Sequence, residues 1–211
     1  MITVNSKLLV LRIIGVITSV FGISYRLFID PVYGPGWKIF FVLGHFSVQS
    51  TILVMVIFIL LLINQVRGTP EKAPSSAVRG AALLYIFVTF AIFLGMYRGN
   101  FGAQGISKIV LFSSQLLLAI LMMADNILSI KPHTYKWKLL GYWLIYPTFY
   151  LIFLIFESVY FNTVRIYFLN FKEMGIDFYF VTLLMMFVTF AGIGALIIFI
   201  NIVYRKPIGL E

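Results

Sequence analysis

Cysteine is absent from the 211-residue chain, which excludes disulfides, thiolate metal sites and a cysteine nucleophile. Charged residues are also scarce, at 11% of the sequence, whereas a soluble domain carries roughly 25%. Residues 39–66 contain no Asp, Glu, Lys or Arg at all. Most charges lie in short breaks between apolar runs, so no soluble domain of normal size fits. The sequence therefore predicts a protein that is embedded in lipid.

Hydrophobic residues make up 62% of the chain and form six runs, each close to the roughly 20 residues that a helix needs to cross a bilayer. The predicted spans are residues 8–28, 39–66, 78–97, 109–126, 137–160 and 178–204. Barrel strands of about 10 alternating residues are too short to account for these runs. The predicted fold is therefore all-α: a polytopic membrane protein with a single six-helix transmembrane domain, 1–211.

The basic residues indicate how these spans are oriented. Of the 16 Lys and Arg residues, ten fall on the side that holds both termini and six on the other, which predicts that both termini are cytoplasmic. The first run follows Lys7 as in a signal peptide, but it lacks a cleavage site and is predicted to be retained. Arg12 and Arg26 lie inside it, and their side chains are expected to reach the interfaces. Asp125 and Asn126 are expected to close the fourth span at the cytoplasmic surface.

The net charge of +9 does not indicate nucleic-acid binding, because the basic residues are spread over every loop without a basic helix. This distribution is typical of loops that face anionic lipid. The sequence has no nucleotide-binding loop and no HExxH motif, and His45 and His133 fall at opposite membrane faces in the predicted topology. No nucleic-acid partner, metal or other cofactor is predicted, and the oligomeric state stays open.

Polar side chains within the spans are costly in lipid, so they are candidate functional residues. His45 and Gln49 are four residues apart and are predicted to share one helix face. His45 follows Lys38, and Gln115 follows Lys108, by seven residues each, which places both about 10 Å below the outer surface. We therefore predict a pocket that opens toward the outer leaflet. Its candidate binding residues are His45, Gln49, Ser114, Gln115 and Glu157, and no catalytic residue is predicted.

Other interpretations of these polar residues stay open. Small polar side chains often do no more than form hydrogen bonds between membrane helices, each worth roughly 1 kcal/mol. That interpretation is favoured for Ser47, Ser50, Thr51, Thr89 and Thr148. The other interpretation of Glu157 is an interface carboxylate that is paired with Arg98 or Arg165.

Four short sequence segments, taken in their order and spacing, resemble segments of a known protein family. They are Phe46-Ser-Val-Gln-Ser50, Arg79-Gly-Ala-Ala-Leu-Leu-Tyr85, Trp143-Leu-Ile-Tyr-Pro147 and Ile166-Tyr-Phe-Leu-Asn170. From about Phe46 to the sixth span, the chain resembles the bacterial six-span (Pr-six-Pr) membrane protein family. That family is distantly similar to the animal androgen-induced proteins. The resemblance implies a multi-pass protein of the bacterial cytoplasmic membrane.

The resemblance also bears on activity, because the animal relatives are threonine hydrolases that cleave fatty-acid esters of hydroxy fatty acids. Their nucleophile is a Thr early in the second span, and its partner is a His early in the fourth. The Thr position of these relatives aligns with Phe41 or Val42 of this chain, and their His position aligns with Gln115. Phe and Val cannot attack an ester, and Gln cannot act as a general base. The chain thus departs from the hydrolase pattern.

The predicted function is binding or handling of a membrane lipid or a lipid-like amphipathic molecule, with His45, Gln49 and Gln115 hydrogen-bonded to its polar head. One alternative is a lipid-ester hydrolase in which His45 activates a nearby serine. The candidate serines are Ser47, Ser113 and Ser114. A small transporter and a structural membrane partner are further alternatives, although the sequence shows no inverted repeat of the kind that many transporters have.

Overall fold

The protein's computed structural model describes residues 6–29, 38–98, 105–160 and 175–203. These residues form helices and no strand, which confirms the predicted all-α class. The helices are α1 (Ser6–Ser24), α2 (Lys38–Leu43), α3 (Phe46–Arg67), α4 (Ser76–Arg98), α5 (Gly105–Ser129), α6 (Lys138–Tyr160) and α7 (Ile176–Val203). A π-helical segment, Tyr25–Ile29, continues α1, and a 3-10 turn, Pro70–Lys72, lies between α3 and α4.

Five of these helical segments are long and apolar enough to cross a membrane. They are Ser6–Ile29, Phe46–Arg67, Ser76–Leu94, Lys138–Tyr160 and Ile176–Val203, and the apolar stretch Ser114–Ser129 within α5 is shorter. The protein is therefore an integral, multi-pass membrane protein. The sixth span and the side on which the termini lie stay predictions.

The two faces of α1 show that its surroundings are apolar. The buried face carries Arg12 and Ser19, which are 6% and 0% exposed, together with Gly15. The outward face carries Ile17 and Phe21, which are 63% and 52% exposed. A water-soluble helix would bury the large apolar residues and expose the arginine. The reversed pattern fits a helix whose outer face is in contact with lipid tails.

The second predicted span is not one continuous helix. It is divided at Gly44 and His45, so that α2 ends at Leu43 and α3 begins at Phe46. His45 has an extended backbone, with φ −77° and ψ 131°, and its carbonyl accepts the N–H groups of Val48 and Gln49. His45 thus precedes α3 instead of lying within it. The prediction that His45 and Gln49 share a face of one helix is wrong, since glycine at position 44 favours a local departure from helical geometry.

The chain divides into two compact units, Met1–Ser129 and Ile130–Glu211. In the first unit α1 packs against α3 and α5, and α4 packs against the same two helices. Its most deeply buried apolar side chains are Val42, Val54, Ile57, Phe58, Leu84, Ile86, Leu118 and Met122. In the second unit α6 packs against α7. Its core contains Trp143, Tyr179, Phe190 and Ile198.

Asn201 near the end of α7 holds the segment that precedes α6. Its side-chain oxygen accepts the N–H of Tyr135 at 2.9 Å, and its backbone carbonyl accepts the N–H of His133 at 3.0 Å. Its amide nitrogen also donates to the carbonyl of Lys131 at 3.3 Å. His133 adopts a positive φ of 60°, which only a well-anchored turn sustains for a residue with a side chain. These bonds fix the start of the second unit against its last helix.

Gly15 allows the closest approach of α1 to α3, which leads to a test of the packing in the first unit. A Cβ at Gly15 would lie 2.5 Å from the ring of Phe58, which is fully buried and cannot move aside. We expect Gly15→Ala to lower the free energy of unfolding by about 1–3 kcal/mol. The measurement is the unfolding midpoint of the purified protein in mild detergent. Gly192→Ala is the control, because no described atom lies within 4 Å of a Cβ there; equal midpoints for the two variants would contradict this packing.

Candidate functional site

Two groups of buried or half-buried polar residues are considered in the described part of the first unit. The first, called the Gln115 site, comprises Ser50, Thr51, Thr89, Ser114 and Gln115, which are 1–5% exposed. The second, called the Asp125 cluster, comprises Arg12, Gln65, Arg79, Asp125 and Ser129. Gln115 and Asp125 are ten residues apart on α5, which corresponds to about 15 Å along the helix axis.

Gln115 joins α5 to α3 through one half of its amide group. Its nitrogen donates to the hydroxyl oxygen of Thr51 at 3.1 Å, and the Thr51 hydroxyl donates in turn to the carbonyl of Ser47 at 2.7 Å. The amide oxygen of Gln115 is buried, and no described residue donates a hydrogen bond to it. A buried acceptor without a donor costs about 1–3 kcal/mol. The site therefore holds one unmet hydrogen-bond acceptor.

Ser50 and Thr89 connect α3 to α4 beside this amide group. Their hydroxyl oxygens are 2.9 Å apart, and each is also within hydrogen-bond distance of a carbonyl on its own helix. These bonds are the interhelical contacts that the sequence predicts for Ser50 and Thr89. Both hydroxyl protons have acceptors close by, so these two residues position the helices.

Ser114 brings α1 to the same level of the unit. Its hydroxyl lies against Gly22 of α1, where an added Cβ would be 3.5 Å from the Ser114 oxygen. One turn further along, Arg26 is 7% exposed and its guanidinium carbon is 5.3 Å from the centroid of the Phe93 ring. The cation–π contact with Phe93 on α4 holds the Arg26 side chain between the helices of the unit.

The other predicted binding residues are His45, Gln49 and Glu157. His45 turns its Nδ1 to the carbonyl of Phe41 at 2.9 Å. Since a carbonyl only accepts, Nδ1 is the donor of this bond. Gln49 is half-buried on α3, and Glu157 is buried in the second unit. The alternative partners of Glu157, Arg165 and the Arg98 side chain, lie outside the described residues, as does the Ser113 side chain.

The Asp125 cluster is the feature that the sequence interpretation missed. Asp125 is fully buried, and α5 continues past it to Ser129. Its carboxylate accepts Arg12 Nε at 2.7 Å and Arg79 Nη2 at 2.5 Å. The expectation that Asp125 closes the helix at the surface is wrong, and Arg12 turns toward Asp125 between the helices. The carboxylate and the two guanidinium groups attract one another inside the unit. This attraction offsets much of the cost of removing their charges from water.

Further bonds extend the cluster to α3 and to the end of α5. Arg12 Nη1 donates to the side-chain oxygen of Gln65 at 2.8 Å and to the carbonyl of Leu61 at 3.5 Å. Arg79 Nη2 also donates to the Ser129 hydroxyl and to the Asp125 carbonyl. Arg79 Nε, by contrast, is buried and donates to no described residue. The cluster holds two guanidinium groups and one carboxylate, so one positive charge is not neutralised within it.

Placement within the helices could have revealed this cluster from the sequence. Arg12 and Arg79 are near the first residues of α1 and α4, and Asp125 and Gln65 are near the last residues of α5 and α3. In alternating spans all four positions fall at the same membrane side. The sequence signal for such a cluster is a set of opposite charges at the same predicted depth in different spans. This signal is found only when the spans are compared with one another.

Metal chemistry finds no support in the described ranges, where no three His, Cys, Asp or Glu residues come together as a possible metal site. Comparison with protein-family models, with curated proteins and with solved structures finds no match to this chain. The candidate site therefore stands on its own geometry.

Replacing the shared carboxylate tests whether the Asp125 cluster holds the first unit together. Asp125→Asn keeps the shape but leaves two buried guanidinium groups without a counter-charge, and we expect the free energy of unfolding to fall by about 3 kcal/mol or more. The measurement is again the unfolding midpoint in detergent. Asp177→Asn is the control, since it removes the same charge from an exposed position in the first turn of α7. A loss of similar size in both variants would show that Asp125 has no special role.

Proposed function

We propose that this membrane protein has six spans with both termini in the cytoplasm and binds the polar head of an amphipathic membrane molecule at the Gln115 site. The observation that carries the binding proposal is the buried amide oxygen of Gln115, which no described residue satisfies. The sixth span is α5, whose 25 residues extend about 37 Å. That length exceeds the roughly 30 Å of hydrocarbon in a bilayer.

The chemistry of the unmet atom restricts the ligand. An amide oxygen only accepts hydrogen bonds, so the head group must donate one, as a hydroxyl or an N–H group does. The nitrogen of the same amide is already bonded to Thr51, which fixes the direction in which the oxygen points. A ligand with a donor at its head would remove the cost of the unpaired acceptor, and that gain favours the bound state.

The surroundings of the amide group favour an amphipathic ligand over a water-soluble one. One turn below Gln115 and Thr51, the buried residues are Leu118 and Val54, both fully apolar and 0% exposed. The polar residues thus form a shallow layer above an apolar interior. A molecule with one hydrogen-bonding head and an apolar tail matches this division, whereas a fully polar solute would leave its other groups without partners.

Binding is favoured over ester hydrolysis by the residues at the positions that the family resemblance points to. Val42 is fully buried and apolar, and Gln115 has no group that takes up a proton at neutral pH. His45 commits Nδ1 to the carbonyl of Phe41, so Nε2 is the one ring atom that could serve as a base. Membership of the six-span (Pr-six-Pr) family is part of this proposal, and in this chain other residues stand at the positions of the animal relatives' Thr/His dyad.

A matched pair of single-chain lipids tests the proposal. Monoolein carries two donor hydroxyls at its head, whereas methyl oleate has a similar chain and no donor. We expect the delipidated wild-type protein to bind monoolein about tenfold more tightly than methyl oleate, measured by native mass spectrometry in mild detergent. In Gln115→Met, which retains the length of the side chain, we expect this preference to disappear.

Two controls separate binding from a purely structural role of Gln115. Asn126→Leu removes another buried amide from α5, one whose nitrogen is bonded to the carbonyl of Met122, and it should leave the lipid preference unchanged. The unfolding midpoint of ligand-free Gln115→Met should be unchanged or raised, because the variant no longer buries an unpaired oxygen. A lower midpoint with an intact lipid preference would refute the proposal. Labelling by a fluorophosphonate that is lost in Ser114→Ala would favour the hydrolase instead.

A further inference from the structure

The Asp125 cluster has a charge that its own residues do not neutralise. Arg12 and Arg79 supply two positive charges, and Asp125 supplies one negative charge, all within a few ångströms. Both arginines are more than nine-tenths buried. We propose that this cluster is an oxyanion site that takes a phosphate group, independently of the Gln115 site and of its ligand.

The unmet donor identifies which residue would contact the phosphate. All the hydrogen bonds that Arg79 donates to α5 leave from Nη2, to the carboxylate and carbonyl of Asp125 and to the hydroxyl of Ser129. The neighbouring Nε–H is buried, and no described residue accepts a hydrogen bond from it. In a planar guanidinium group, Nε–H and one Nη2–H point the same way, so an oxyanion at Nε–H would lie beside the acceptors that Nη2 already has. An oxyanion oxygen would satisfy Nε–H.

Charge decides between an anion and a neutral acceptor at this position. A carbonyl or hydroxyl oxygen would also satisfy Nε–H, but it would leave the excess positive charge of the cluster uncompensated in a medium of low dielectric. An oxyanion would satisfy Nε–H and also compensate the excess positive charge. The positive end of the α4 helix dipole also attracts an anion. Arg79 is the fourth residue of α4, and the first turn of this helix contains no acidic residue.

The position of the cluster along the helices places it near lipid head groups. Arg79 is three residues from the first residue of α4, and Asp125 is four residues from the last residue of α5, so both lie about 5–6 Å from the helix ends. The head-group layer on each side of a bilayer is about 5–7 Å thick. A phosphate in that layer would reach the cluster from the side on which α1 and α4 begin.

Two sources supply this chemistry, the phosphate of an anionic phospholipid and free inorganic phosphate. The experiment uses the delipidated full-length protein in mild detergent and titrates it in two arms. One arm compares dioleoyl phosphatidylglycerol with dioleoyl phosphatidylcholine by native mass spectrometry. The other compares sodium phosphate with sodium chloride at equal ionic strength, by the shift of the unfolding midpoint.

Arg79→Lys keeps the positive charge but removes Nε–H and the planar fork. Arg67→Lys is the matched control, the same change at an exposed arginine that ends α3. We expect Arg79→Lys to weaken binding about tenfold and Arg67→Lys to leave it unchanged. Selective binding of phosphatidylglycerol would identify a lipid phosphate as the ligand, and a response to inorganic phosphate alone would identify the free ion.

The proposal is overturned if neither phosphatidylglycerol nor phosphate distinguishes wild type from Arg79→Lys, or if Arg67→Lys loses binding equally, since general attraction to basic residues would then suffice. If Arg79→Lys does not fold, the wild-type titrations decide. One saturable phosphate or phosphatidylglycerol per chain supports the site, and binding without saturation overturns it.

Discussion

One buried carboxylate connects the long helices of the first unit. Asp125 on α5 accepts bonds from Arg12 on α1 and Arg79 on α4, and Arg12 extends the contact to Gln65 on α3. These charged groups are buried between the helices, so water does not readily replace a lost partner. The contact also requires the starts of α1 and α4 to lie beside the ends of α3 and α5. This single interaction therefore imposes the alternating direction of four helices.

The packing around Asp125 also depends on lipid being the medium that surrounds the helices. Lipid tails surround large apolar side chains as well as the protein interior does, so there is little hydrophobic gain in burying them between helices. Close approach depends instead on small residues and hydrogen bonds. Gly15 and Gly22 bring α1 against Phe58 of α3 and Ser114 of α5, and Ser50 bonds to Thr89 between α3 and α4. The buried face of α1 is accordingly small and polar.

The sequence predicts the helices well because bilayer thickness sets a length that apolar runs must match. It predicts the break at His45 poorly, since a single glycine within a long apolar run is common in membrane helices. It also misplaces Arg12 and Asp125. Each charge considered alone is expected to reach the nearest interface, and the pairing that keeps both inside exists only after α1, α4 and α5 have come together.

Part of the candidate site can be predicted from the local sequence, and part of it depends on tertiary contacts. The polar character of Ser114 and Gln115 at membrane depth is visible in the sequence. The bond from Gln115 to Thr51 is tertiary, and no described residue donates to the oxygen of the same amide. Gln115 and Asp125, to which Arg79 is bonded, are about 15 Å apart along α5, so the Gln115 oxygen and Arg79 Nε belong to two separate sites. Apolar residues in their places would avoid both penalties. The two ligands proposed above, a hydrogen-bond donor at the Gln115 site and an oxyanion at the Asp125 cluster, would remove both penalties.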